Sequence, residues 1–401
     1  MEDLVVEITP IARSASVIRE LALTASPDDY WPGCRRWHTT MPGYVPTELV
    51  HVPTLAESMG VKNVWVKNEQ ERFGLPSFKI LGASWAVNLT LSALCGKPPA
   101  GSFAHLRRRV SGREFTLTCA TDGNHGRAVA RIARDLGLGA VVYVPSTISR
   151  PRIDAIRSEG ADVVVAYASY DDTVQFVADQ AQRNPHYVLI SDTSWPGYED
   201  VPAAVIAGYA TIMAEIQQQL DAGGVQPAES LAVFAPAGVG ALAAAVARHF
   251  RSRPRTLLAT VEPQGADCIA KSLREGKRVE VPGPHRSIMA GLNCGVPSLL
   301  AWGELYGSID AAITVDDDDA RTAMRELADV GVESGESGAA SLAGATAYFR
   351  HHRDGATEAG EAYDHVLILN TEGAADPDAY AATIAGDEDT VQPGGETIHA
   401  G

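Results

Sequence analysis

From Gly139 to Gln182 the chain reads GAVVYVPSTISRPRIDAIRSEGADVVVAYASYDDTVQFVADQAQ, and this stretch commits its architecture. The β-branched runs GAVVYVPS and DVVVAYA alternate with RPRIDAIRSEGA and YDDTVQFVADQAQ, whose apolar residues recur at helical spacing. That is a βαβ pattern. Strands apolar at successive positions need cover on both faces, the condition of a parallel sheet held between helices. The alternation returns downstream in SLAVFAPAGVGALAAAVARHF (Ser230–Phe250), TLLATVEP (Thr256–Pro263), a helical segment from Ala320 to Gly331, and HVLILNTEG (His365–Gly373). Between the two blocks lie the turn-rich LISDTSWPGYEDVP (Leu189–Pro202) and one long helical run, Ala203–Leu220, so a domain boundary is expected there.

At 401 residues, 45% hydrophobic and 21% charged, the chain has globular composition and length for about two to three domains. No apolar run approaches the roughly 20 residues of a spanning helix, so a membrane partner is not expected. The opening MEDLVVEITP carries acids where a secretory signal has bases, which makes the cytoplasm the expected location. A net charge of -17 repels a phosphate backbone and argues against nucleic acid. The five cysteines form no CxxC pair and there is no HExxH, so no metal is expected. Cys268 and Cys294 sit in loop-like surroundings; a disulfide between them and a pair of buried free thiols both remain open. Residues 1–40, with DDYWPG, read as an arm wrapped on the core, and the polar, Gly-rich end from about 382 to 401 as a flexible tail.

Several stretches could carry chemistry. In VFAPAGVGALAAAVA (Val233–Ala247) an apolar run ends at Pro236, and Ala237, Gly238, Val239, Gly240 and Ala241 lead into an Ala-rich helix. Glycines let the backbone approach an anion, and the helix start offers free N–H groups and a positive dipole end. The loop lacks the Lys-Ser/Thr of a nucleotide-binding P-loop, and a plain tight turn is its other reading. In CATDGNHGRAVARIARDLG (Cys119–Gly137), Asp122 or Asn124 either caps a helix or helps its N–H groups hold a ligand. Lys79, in RFGLPSFKILGASWA (Arg72–Ala86), either lays its stem over apolar surface or is a buried amine whose desolvation lowers its pKa. Asp192 ends an apolar run, as an Asx turn or as an acid or base at a sheet edge. VESGESGAAS (Val332–Ser341) and LNTEGAADPD (Leu369–Asp378) add two polar loops.

A phosphate cup, a desolvated lysine and an Asn-bearing loop together suit pyridoxal 5'-phosphate. The combination resembles the tryptophan synthase β-like (fold type II) family of pyridoxal-phosphate-dependent enzymes. Within it, MPGYVPT, RFGLPSFKILGAS, ATDGNHGRAVA, SDTSWPGYED, APAGVGA, VEPQGADC, IMAGLNCG, SGESGA and NTEGAADPD, spread from about Met41 to Tyr380, are similar to the diaminopropionate ammonia-lyases.

That resemblance implies an α/β fold of two three-layer αβα domains with mostly parallel sheets and the cofactor in the cleft between them. The large domain would comprise 1–85 and 205–401, the small one 86–204. It implies that Lys79 forms the imine with the cofactor and that Asn124 bonds its ring oxygen. Phe78 and residues Ala237, Gly238, Val239, Gly240 and Ala241 would complete its seat, with Thr371 at the pyridine nitrogen. Catalytic roles fall to Lys79, Asp122 and Asp192, and substrate contacts to Thr121, Asp122, Gly123, His125, Asp192 and Ser337. The implied reaction is α,β-elimination of 2,3-diaminopropionate to pyruvate and ammonia through aminoacrylate, by a homodimer. β-Replacement, a serine/threonine dehydratase-like lyase and a catalytically silent carrier of the cofactor are the alternatives. Departures from the family pattern, Pro236-Ala237 before the glycines and Ala83-Ser84 after Lys79, bear on substrate preference.

Overall fold

The computed structural model describes residues 7–10, 33–166, 169–353 and 363–387. Most of the expected arm over 1–40, and the tail beyond residue 387, lie outside the described residues. The strands are β1 Glu7–Pro10, β2 Leu49–His51, β3 Asn63–Asn68, β4 Thr116–Ala120, β5 Gly139–Pro145, β6 Asp162–Ala166, β7 Tyr187–Leu189, β8 Leu231–Pro236, β9 Thr256–Pro263, β10 Ala311–Val315 and β11 His365–Asn370. They form a seven-stranded sheet, ordered β1-β10-β9-β8-β11-β3-β2, and a four-stranded one, β6-β5-β4-β7. Every pairing is parallel except those of the two edge strands β1 and β2 in the larger sheet.

The near-continuous apolar strands have the predicted cause. β8, β10 and β11 are buried at every position. Their side chains alternate between two cores: Leu231, Val233, Leu367 and Leu369 join one cluster, while Ala232, Phe234, Val366 and Ile368 join the other. A residue period of two thus puts apolar groups on both faces, and helices cover each. The smaller sheet does the same with Leu117 and Val142 on one side and, on the other, Ala120 and Tyr143, which cluster with Val177 of helix Tyr170–Arg183. Among the described residues no helix is long and apolar enough to cross a membrane.

The expected single helix over Ala203–Leu220 is two helices, Asp200–Gly208 and Ala210–Ala222, joined at Tyr209. The break falls where the chain crosses helix Lys79–Leu94. A Cβ on Gly208 would lie 2.5 Å from the Leu81 carbonyl oxygen, and one on Gly82 would lie 2.6 Å from the Tyr209 ring. Two backbones meet there without side chains between them, which fixes helix Lys79–Leu94 against the larger sheet's layer.

Candidate active site

The C-terminal ends of strands from both sheets open onto one cleft. Lys79 enters it as the first residue of its helix. The preceding loop is stitched to the segment after β11: Phe78 N donates to Thr371 O at 3.4 Å and Gly373 N to Pro76 O at 3.0 Å. With Gly82 locked against Gly208 three residues on, the position of Lys79 is set from both sides. Its Nζ donates to Asp192 Oδ2 at 2.7 Å and lies 5.5 Å from the Phe78 ring centroid.

The expectation that desolvation lowers the Lys79 pKa is corrected by this contact. Burial does oppose the ammonium, but the charge of Asp192, helped by Tyr209, the Asp192 hydrogen bond and Asp122, outweighs it and raises the Lys79 pKa. Burial likewise pushes Asp192 upward, and Lys79, together with hydrogen bonds from Lys79 and Tyr170, holds its carboxyl below the usual range. Lys79 and Asp192 are therefore an ion pair. Asp122 differs: burial, then the charge of Asp192, outweigh Arg152 and Lys79, and its pKa is pushed up to about 6. Paired with Lys79, Asp192 favours its ionised form, whereas Asp122 is shifted towards neutrality.

Not every predicted residue faces the cleft. Asp122, Asn124, Ser337, Thr371, Phe78 and the Gly238–Ala241 turn line it, whereas Thr121, Gly123, His125 and Ala237 stand behind the wall. Thr121 Oγ1 accepts from Gly123 N at 2.9 Å and Gly126 N at 3.1 Å, so Thr121 does the capping foreseen for Asp122 or Asn124. A Cβ on Gly126 would sit 2.4 Å from Thr121 Cγ2, which explains the second glycine of GNHG. His125 is buried; its Nε2 bonds Ile190 O at 2.7 Å, and burial lowers its pKa, so it is a neutral donor that braces the strand end before Asp192.

The turn after β8 is built as an anion seat. Gly240 has φ 96°, and no side chain caps helix Ala241–Phe250, so the first-turn N–H groups are offered to the cleft. A Cβ on Gly238 would come within 3.1 Å of both Cys294 Sγ and Gly291 O, so only glycine leaves the cradle open. All five cysteines are free. Cys268 Sγ lies 3.8 Å from Gly238 O, and the two thiols flank the cradle unbridged.

Three cleft residues with polar or ionisable side chains escaped the sequence reading of roles: Tyr170, Glu372 and Cys294. Tyr170 Oη donates to Asp192 Oδ1 at 3.3 Å, and burial, then Asp192, raises its pKa far enough to keep it a donor. Glu372 accepts Ser337 N at 3.0 Å on one oxygen and the Asn124 amide, by a short bond, on the other. Tyr170 begins the helix after β6, and a helix start beyond a parallel strand is the signal that marks it.

An amine at the mouth of a buried pocket, a glycine cradle that a Cβ would fill and an uncapped helix start fit pyridoxal phosphate. The sequence relations agree. Residues 40–372 match the model of a family described as pyridoxal-phosphate dependent enzyme. The chain is 37% identical over 374 residues to the diaminopropionate ammonia-lyase of Escherichia coli strain K12, covering 90% of this chain and 92% of that protein. It is 30% identical over 311 residues to threonine dehydratase 2 (biosynthetic, chloroplastic) of Solanum lycopersicum, covering 77% of this chain and 46% of that protein. The crystal structure of the Escherichia coli diaminopropionate ammonia lyase in complex with D-serine superimposes with a TM-score of 0.83 at 32% identity, over 97% of this chain and 99% of that one. On its own residues and on these relations, the chain belongs to the pyridoxal-phosphate dependent enzymes.

Proposed function

We propose that the protein is a carbon–nitrogen lyase that eliminates ammonia from 2,3-diaminopropionate. The observation that carries this reading is the pair of unlike carboxylates, Asp192 held ionised and Asp122 titrating near 6, on one wall of a cleft that also holds Lys79. A diamino acid brings a second ammonium into a buried site, and that charge needs a fixed counter-charge. Asp192 supplies it.

Bound pyridoxal phosphate supplies an electron-withdrawing ring that stabilises the negative charge left at the substrate's Cα. The chain supplies the rest. The Lys79 amine would be the attachment point, the Gly238–Ala241 N–H groups would take the phosphate, and Asn124 and Thr371 would hold the ring. The freed Lys79 Nζ takes the Cα proton from one face and Asp122 takes it from the other, so either enantiomer can react. Cleavage of Cα–H and Cβ–N with formation of the C=C bond releases ammonia and leaves aminoacrylate. Water then converts aminoacrylate to pyruvate and a second ammonia. Amines leave poorly unless protonated, so holding the β-nitrogen as an ammonium beside Asp192, from which it departs as neutral ammonia, contributes about 10²–10⁴-fold. Tyr170, which its raised pKa keeps protonated beside Asp192, helps hold that nitrogen in place.

The same reading takes residues 1–85 with 205–401 and residues 86–204 as two domains whose approach excludes water from the cleft. It also takes the protein to be a cytoplasmic homodimer, as is usual in this family; light scattering of the purified protein tests the dimer. The activity is tested by incubating purified holoenzyme with L- and D-diaminopropionate, serine and threonine and measuring pyruvate, 2-oxobutyrate and ammonia. Release of pyruvate with ammonia from diaminopropionate is expected. Turnover of serine or threonine with none of diaminopropionate would establish a dehydratase instead.

A further inference from the structure

Arg152 lies in helix Arg150–Ser158, outside the cleft lining, and is 8% exposed. A buried guanidinium needs anionic partners, and Arg152 has them from two directions. Its Nη1 donates to the Asp122 backbone oxygen at 3.3 Å, and its Nη2 lies 3.7 Å from Glu336 Oε2. Asp122 follows β4 of the smaller sheet, whereas Glu336 starts the helix Glu336–Arg353 that covers the larger one. The guanidinium therefore joins the two sheet assemblies at the back of the acid–base residue. The fit is close: a Cβ on Gly123, beside Asp122, would stand 3.3 Å from Arg152 Nη1 and 3.6 Å from its Cδ. Gly123 itself has φ 149°, which already calls for glycine, and the close Arg152 stem leaves no room for a side chain there.

We propose that Arg152 is a positioning residue for Asp122: it fixes the Asp122 backbone, presents a permanent positive charge to its carboxylate, and is itself held by Glu336 across the cleft. This rests on the reading of Asp122 as the acid–base group. Asp122 faces Arg152 and Lys79 as cations and Asp192 as an anion, with Tyr170 and Cys294 also within its electrostatic reach. Arg152 in turn faces Glu372, Glu336, Asp122 and Asp376. The two cations are not equivalent. Lys79 alternates between imine and free amine and must lose its proton to act as a base, whereas a guanidinium never deprotonates. Arg152 therefore keeps Asp122 able to ionise throughout a turnover.

The test compares Arg152→Met, Arg152→Lys and Glu336→Gln with the wild-type holoenzyme in two measurements. The first is the pH dependence of kcat/KM on diaminopropionate. The second, made without substrate, is the pH at which the infrared carboxyl band absent from Asp122→Asn appears. Removing the charge should move the acidic limb and the band upward by about one pH unit or more, with Arg152→Lys restoring most of the shift. Glu336→Gln, which loosens Arg152 from behind Asp122, should move both upward, by less than Arg152→Met. A pH-independent loss of activity in Arg152→Met with unmoved limb and band would overturn the proposal. If Arg152→Met does not fold, Arg152→Lys and Glu336→Gln decide it, and unmoved profiles in both refute it. If the wild type releases nothing from diaminopropionate, the functional reading fails separately, and the infrared titration alone decides the role of Arg152.

Discussion

Lys67 and Lys79 are neighbours in sequence, and each is paired with a carboxylate, yet their surroundings differ. Lys67 Nζ has its donors filled by Thr47 O at 2.7 Å, Glu215 Oε2 at 2.9 Å and Gln219 Oε1 at 3.0 Å. Arg72 adds two bonds to each of Glu69 and Glu215, plus one each to Thr47 and Val45. Lys79 makes one hydrogen bond among the described residues, to Asp192, and stays partly exposed to the cleft. The saturated network has no donor to lend. The unsaturated pair can exchange partners, which is what attachment of a cofactor and transfer of a proton require. Burial lowers the Lys67 pKa against the pull of Glu69 and Glu215, with the charge of Arg72 adding a little, while Asp192 raises that of Lys79 against burial.

The contrast is broken most severely at Lys79. Lys79→Ala should lose the visible absorbance of lysine-bound cofactor and at least ~10²–10⁴-fold in pyruvate release, in an apoprotein that still unfolds cooperatively. Next comes Glu215→Gln, which strands Lys67 and Arg72. It should cost about 3–5 kcal/mol in denaturant unfolding, while kcat of the folded fraction stays near wild type. A large kcat loss with little destabilisation would erase the distinction between the two lysines.

The acid limb of stability sharpens it further. Burial alone would raise Glu215, but Arg72 and Lys67 hold it down at about 2, below its ordinary 4.5. A lowered carboxylate stabilises the fold above pH 4.5 and loses that contribution as pH falls towards 2, so Glu215→Gln should flatten the stability–pH curve across that window. The smallest effect is expected at the exposed Arg150–Asp154 pair, at 3.0 Å, where Arg150→Ala should change stability by no more than about 0.5 kcal/mol.

The fold was readable where physics acts locally. Strands β5, β6, β8, β9 and β11 follow from β-branched and apolar runs, and the Gly238–Gly240 turn from glycines at a strand end. Helix Lys79–Leu94 was not foreseen, because KILGASWAVNLTLSAL is buried on nearly all sides and shows no polar face. The break at Tyr209 depends on a crossing with Leu81 and Gly82 that no local pattern records. The same holds for the site. Lys79, Asn124 and the cradle carry recognisable signatures, whereas Tyr170, Glu372 and Arg152 acquire meaning only beside Asp192, Asn124 and Asp122, which lie 22, 248 and 30 residues away.

The direct test of Asp192 as the counter-charge for a second ammonium is the ratio of kcat/KM for 2,3-diaminopropionate to that for serine, in the wild type and in Asp192→Asn. The ratio cancels losses common to both substrates, including any disturbance of Lys79. Preference for diaminopropionate in the wild type, falling by ~10-fold or more in Asp192→Asn, is the expected result. An equal ratio in the two proteins, or a wild type that prefers serine, would contradict it.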